Sequence, residues 1–390
     1  MKHRLFAFFL IIPLLLSACQ AAPQESDEAP EEIRAVWISC FDWESAAGKT
    51  EDAYRALTDA TFSLLRTSGF NTAFVHLRAF SDAFYPSKLF PASAYIAGKR
   101  GGALEFDPFA LMLESARTYG IAVHGWINPF RISNEPDPAQ LCDGEPAKNI
   151  LAAGDPNGRI AVLDNGIYYN PAAPENHALI LAGVKEILEN YDVAGIHIDD
   201  YFYPSEDPAI DRAQYAAYTN AGGDLPLREW RMQAVNTFVA ALYDTVKAAD
   251  PALTVSISPA GSLENNRETL CADVETWLSQ PGYADWILPQ LYFGFEHDTL
   301  PFDALLAEWA ALPRDESVRL LCGLGAYKLG KADPYAGGGK TEWIDDPALL
   351  ARQLESVRAN DAYSGFAFFS FSDLLREEAQ TGVGAFLALL

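Results

Sequence analysis

Cations, cysteines and glycine-rich loops are all scarce in this sequence. Its 390 residues hold 28 Lys and Arg against 53 Asp and Glu, a formal net charge of −25. So acidic a surface disfavours nucleic acid and anionic lipid as partners. The five cysteines, Cys19, Cys40, Cys142, Cys271 and Cys322, are widely spaced. They form no Cys-x-x-Cys pair and no Cys/His cluster, which leaves a zinc site without support. Disulfides remain open for the last four, as do buried thiols, because Cys40, Cys271 and Cys322 lie in or beside apolar segments. No glycine-rich phosphate or dinucleotide fingerprint follows the first strand-like segment. Beyond residue 31 there is no second linker, no charge block and no strict repeat.

The beginning of the chain is different in kind. Lys2 and Arg4 precede an apolar run from Phe6 to Leu16, of signal-peptide length and short for a membrane span. Leu16-Ser17-Ala18-Cys19 then has the form of a lipobox, with Cys19 as the lipidated mature terminus. Residues 1–18 are therefore expected to be a signal peptide. Residues 19–31, polar and acidic, are expected to tether a lipid anchor to a domain spanning 32–390. The expected location is outside the cytoplasm, held to an envelope membrane by that lipid.

Hydrophobic residues make up 49% of the sequence, enough for a large core. Eight segments rich in β-branched and aromatic residues read as buried strands: Arg34–Ser39, Thr72–Leu77, Ile121–Ile127, Val193–Ile198, Leu253–Ser258, Asp285–Tyr292, Arg319–Gly325 and Gly365–Phe371. Helical patterns separate them. Asp107-Pro108 opens one, with an N-cap and a first-turn proline, and Gly120 closes it. Others run through Val184 to Leu188, through Val235 to Val246, and from Asp346-Pro347 to about Ala359. Eight strand–helix units predict an α/β fold closed into a (β/α)8 TIM barrel rather than an open doubly wound sheet. Two long connections, 78–106 and 128–173, both follow strands. They should decorate the C-terminal face, where barrels bind substrates.

The fourth strand carries the clearest chemistry. Ile196 and Ile198 alternate with His197 and Asp199, so the isoleucines should face the helices while His197 and Asp199 face inward. Asp200 follows at the rim, and Tyr201-Phe202-Tyr203-Pro204 leaves as an aromatic loop. Other strand ends offer Trp37, Asp42 and Trp43; His76, Arg78 and Asp82; His124, Trp126 and Asn128; Ser256 and Ser258; Gln290 and Tyr292; and Tyr327 with Lys328. Taken singly, each has a structural explanation. Converging on one barrel end, aromatic faces with carboxylates and amides describe a sugar site.

These motifs resemble the glycoside-hydrolase-10-like lipoprotein family, once known only as a domain of unknown function. The resemblance rests on Arg34-Ala35-Val36-Trp37, Asp82 to Ser87, His124 to Arg131, Gly195 to Pro204, Ser256 to Pro259 and Pro289 to Tyr292, and runs from about Glu32 to about Phe371. It implies a TIM barrel acting on β-linked cell-wall glycan, notably peptidoglycan strands stripped of stem peptides. Two departures stand out. His197 occupies the place where amylase-type barrels usually carry an arginine, two residues before the strand-four aspartate. Ala260 to Glu264 replaces a Trp-containing stretch usual after Ser-Pro.

Glycoside hydrolysis usually employs two carboxyl groups. Asp199 is the expected principal one, with Asp200, Asp82 and Glu264 as candidate partners in that order. Trp37, Arg78, His124, Trp126, Asn128, His197, Tyr201, Ser258, Gln290 and Tyr292 are the expected substrate contacts. The reading requires no cofactor and no metal and names no protein partner. Two rivals compete with it. One is a non-catalytic glycan-binding lipoprotein on the same barrel. The other is a metal-dependent deacetylase using His76, His124 and His197.

Overall fold

The computed structural model describes residues 32–390. The expected signal segment, the lipidation site Cys19 and the 19–31 tether lie outside the described residues. Eight parallel strands close a barrel: β1 (Ile33–Ile38), β2 (Thr72–Arg78), β3 (Ala122–Ile127), β4 (Gly195–Ile198), β5 (Thr254–Ile257), β6 (Trp286–Ile287), β7 (Arg319–Leu324) and β8 (Tyr363–Phe369). Each pairs with the next, and β8 returns to β1 through Trp37↔Phe369. Helices lie between successive strands, as the sequence pattern predicts.

Local signals explain several element ends. The Asp107 carboxylate accepts from the N–H groups of Phe109 and Ala110, capping the helix Pro108–Thr118. Gly120 follows at φ +64°, a conformation costly for residues with a Cβ. The expected sixth strand Asp285–Tyr292 is cut to Trp286–Ile287. Pro289 has no N–H to give to a ladder. Past it, the chain keeps only isolated bridges from Gln290 to Ala260 and Gly323. Gly195 opens β4 where a Cβ would lie 2.2 Å from the Thr254 carbonyl oxygen and 3.0 Å from His124 Nδ1.

Strand alternation divides the buried apolar residues into two bodies. Val36, Val75, Ile196, Ile198, Val255 and Ile257 join the large shell packed against the helices. Ala35, Trp37, Phe74, Trp126, Leu288, Leu321 and Ala367 form a separate cluster inside the barrel.

The two long connections gather as expected. Residues Arg131–Ser133, Ile160–Leu163 and Gly166–Tyr169 make a small antiparallel sheet. Arg100, from the 78–106 connection, donates to the Phe80 carbonyl at 2.6 Å and reaches across to the Ile132 carbonyl at 3.3 Å. It also pairs with the buried carboxylate of Glu145, Nε to Oε2 being 2.9 Å. One guanidinium thereby ties both connections together. The loop after β4 is fastened similarly. Asp211 accepts a fork from Arg231, two bonds of 2.8 Å, and a third bond of 2.9 Å from the Tyr203 hydroxyl. Removing one partner of such a buried pair typically costs about 3–5 kcal/mol.

Cys40, Cys142, Cys271 and Cys322 are free thiols, all buried except the half-buried Cys142. Of the two states left open, the thiols are the observed one. No described helix is long and apolar enough to cross a membrane.

Candidate active site

A cavity of about 260 Å³ opens at the C-terminal ends of the strands. Asp199, Asp200 and Tyr201 enter it from the end of β4, with Trp126 from β3 and Trp37 from β1. Ser258, Gln290 and Tyr292 come from beyond β5 and β6. Of the expected site residues, these eight are brought together.

Asp199 is almost fully buried, and its carboxyl is pushed up to about 8, first by burial and then by the charge of Asp200. Arg131, the Tyr201 N–H at 3.4 Å and the Trp126 indole pull the other way. Burial also raises the Asp200 carboxyl, against the opposing pull of Gln290 and Arg131. A carboxylic acid that keeps its proton near neutrality, beside a second carboxyl, is the pairing that acid catalysis of glycoside cleavage requires.

Arg131 lines the same cavity and lowers both carboxyls through its charge. It was not among the expected contacts, although it closes one of the quoted motifs. Its guanidinium carbon lies 4.1 Å from the centre of the Tyr201 ring and 4.5 Å from that of Phe80, while its Nε donates to the Ala79 carbonyl. Ser39, Phe41 and Phe369 complete the wall together with His76 and Tyr327, two of the strand-end groups that the sequence offers. Phe369 lies 5.6 Å from Tyr292 in a stacked pair, and Trp37 meets Tyr292 edge-on at 6.4 Å. His76 stacks on Trp126 at 3.7 Å. Its Nδ1 accepts from the Cys40 N–H, which leaves the neutral ring's proton on Nε2, and Nε2 has no partner among the described residues.

Two expected contacts lie beneath the floor. The Trp37 indole can only donate, so His197 Nε2 accepts its N–H at 3.0 Å. The proton of the neutral His197 ring then belongs on Nδ1, which donates to Ser256 Oγ at 2.9 Å. Burial holds this imidazole well below its usual range, in the neutral form that pattern needs. Phe74 stacks on its face at 4.1 Å. His124 is fully buried one layer down, 3.4 Å from Ser256 Oγ and stacked on Trp286 at 4.8 Å. His197 and His124 are thus packing groups in the barrel stem. Their nitrogens turn to serine and tryptophan rather than toward a common point with His76. Among the described residues no group of three His, Cys, Asp or Glu side chains is arranged to hold a metal ion.

Four further expected residues lie outside the cavity wall. Asp82 Oδ1 accepts from the N–H groups of Ala79 and Phe80 at 3.2 and 3.0 Å, so it caps the turn after β2. Glu264 is exposed in the first turn of the short helix Leu263–Glu268, away from the cavity wall. The pairing register shifts between His76 and Arg78. Arg78 therefore turns outward, fully buried, with its guanidinium carbon 3.9 Å from the Phe90 ring centre. Asn128 is fully buried just past β3 and does not line the cavity.

Residues 32–337 match the family model for glycosyl hydrolase-like 10. The chain belongs to this glycosyl hydrolase-like 10 family. It is 30% identical over 389 residues to glycosyl hydrolase YngK of Bacillus subtilis (strain 168), across 94% of this chain and 72% of that one. It is 27% identical over 428 residues to glycosyl hydrolase DigH of Escherichia coli (strain K12), across 97% and 94% of the two chains. Among solved structures, the glycoside hydrolase domain of PgaB (BpsB) from Bordetella bronchiseptica aligns with a TM-score of 0.57 at 13% identity, over 92% of this chain and 99% of that one. The β-amylase catalytic domain from Paenibacillus polymyxa gives 0.54 at 11% identity, over 92% and 98%. The two structures share the barrel; the family and its relatives make this glycosyl hydrolase-like 10 protein a glycoside hydrolase.

Proposed function

We propose that this glycoside hydrolase is exported, anchored by a lipid on Cys19, and cleaves O-glycosidic bonds in a cell-wall glycan, with peptidoglycan strands stripped of stem peptides as the substrate to test first. The observation that carries the reading is the placing of Asp199 and Asp200 together in an aromatic-walled cavity at the barrel mouth. Aromatic faces suit the apolar faces of pyranose rings, and the wall offers Trp37, Trp126, Tyr201 and Tyr292. Asp199 retains a proton near neutral pH and is assigned as the acid that protonates the leaving oxygen. Asp200 is assigned as the partner carboxyl; burial raises it, while Gln290 and Arg131 favour its charged form. Export is supported by Lys2, Arg4, the apolar run that follows them and the Leu-Ser-Ala-Cys sequence.

Incubation with denuded peptidoglycan, chitin-type and α-glucan substrates, followed by mass analysis of the products, tests the substrate. Asp199→Asn tests the site: it should bind glycan without cutting it. Unchanged cleavage would remove Asp199 from the mechanism, and binding with no wild-type cleavage would favour a glycan-binding role. Globomycin-sensitive processing, or loss of membrane attachment in Cys19→Ser, tests the anchor.

A further inference from the structure

Asp199 and Asp200 are the only acids among the described residues that line the cavity. Neighbouring acids are committed elsewhere. Asp82 caps the β2 turn. Asp42 accepts from the N–H groups of Ser39 and Ser372 at 2.6 and 3.0 Å. Asp373 accepts from the Ser370 N–H at 3.1 Å and from Arg376 Nε at 2.8 Å. The wall across from β4 consists of Trp37 and Phe369 from β1 and β8, with Tyr292 and Tyr327. A sugar ring held there meets carboxyl groups from one strand end alone. The usual double displacement requires an acid and a nucleophile on opposite faces of the ring, roughly 5–5.5 Å apart. Consecutive residues at one strand end do not straddle a ring in that way.

We infer that the missing nucleophile belongs to the substrate: the site takes sugars bearing a 2-acetamido group, and Asp200 orients that group while Asp199 acts as the acid. The inference rests on the proposed glycan-cleaving role of this same cavity. In the first step the acetamido carbonyl oxygen attacks C1, and the C1–O bond to the leaving sugar breaks. The departing oxygen takes the Asp199 proton. The Asp200 carboxylate accepts the amide N–H and balances the positive charge of the oxazolinium ring. In the second step water adds to C1 and gives a proton to the Asp199 carboxylate, and the C1–O bond of the ring breaks to restore the acetamide. Two inversions at C1 leave its configuration retained.

The test uses the purified full chain on denuded peptidoglycan strands and on the same strands N-deacetylated and re-acylated with trifluoroacetyl groups, whose carbonyl is a poor nucleophile of nearly the same shape. Trifluoroacetylation should lower kcat/KM by about 100-fold or more, because a well-placed intramolecular nucleophile supplies at least that much. Proton NMR of the first product should show retention. Asp200→Asn should collapse the ratio between the two substrates, whereas a merely structural loss would lower both rates alike. Inversion at C1, or equal rates on the two substrates, would overturn the inference and leave the glycan-cleaving reading intact. Failure to cleave the native strands at all would overturn both.

Discussion

Two layers of the barrel interior contain histidine and tryptophan, and they treat the polar atoms of those rings differently. In the lower layer, His197 has both ring nitrogens engaged, by Trp37 and Ser256, and His124 points to the same serine. In the upper layer His76 keeps Nε2 without a partner among the described residues, and the carboxyl of Asp199 is held protonated beside that of Asp200. Buried polar atoms are nearly always satisfied, because leaving one unpaired costs about 1–3 kcal/mol. The lower layer obeys that rule and gives a rigid floor. The upper layer departs from it at His76, whose ring stacks on Trp126 at the cavity wall.

The largest effect expected from this contrast is at Asp199. Asp199→Asn should lower kcat by about 1,000-fold, within the usual range for a lost general acid. In the wild type kcat/KM should fall as pH rises through about 8, the point at which Asp199 gives up its proton. Stability should follow the same sign. A carboxyl raised on folding favours the fold while protonated, so its contribution is complete below the ordinary carboxylate range and is lost as pH climbs through about 8. Asp199→Asn should therefore melt at a higher temperature than the wild type above that pH. An unchanged melting curve would mean that Asp199 is not held in its acid form.

A paired substitution tests the two layers directly. His197→Ala strands the Trp37 N–H and leaves a hole under Phe74, and should cost about 3 kcal/mol of stability. His76→Ala should cost about 1 kcal/mol and instead lower kcat/KM by about 10-fold, through the loss of a cavity wall and of the ring stacked on Trp126. Denaturant titration alongside initial rates separates the outcomes. If the two variants lost stability and activity in the same proportion, the distinction between layers would fail. Arg131→Gln should act more gently. Arg131 lowers both Asp199 and Asp200, so its removal should move the basic limb of the pH–rate profile upward. A limb that did not move would place the guanidinium outside the field of the pair.

Much of this arrangement is visible in the sequence wherever periodicity governs. Alternation along Ile196 to Asp199 correctly places the isoleucines against the helices and Asp199 in the mouth, because a strand buried on both faces has a strict period of two. The same counting fails at Arg78, where one register shift after His76 reverses the side chain. It also cannot give depth: His197 and Asp199 share a phase, but only the three-dimensional stagger of the strands puts one under the floor and the other in the cavity. Arg131 was hidden for another reason. Its position depends on how the 128–173 connection folds into a small sheet over the mouth, and loop packing leaves no periodic trace.

The smallest expected effects separate the two acids that sequence order nominated from the pair that geometry selects. Asp82→Asn keeps a side-chain oxygen that can still accept from Ala79 and Phe80, but weakens bonds made to a charged group. A loss of about 1 kcal/mol should result, with kcat unchanged within a factor of about two. Glu264→Gln alters an exposed helix position and should move neither quantity measurably. A loss in kcat comparable to that of Asp199→Asn in either variant would identify the opposing carboxylate that the substrate-assisted route does without. Intact turnover in both would leave Asp199 and Asp200 to carry the reaction with a nucleophile from elsewhere.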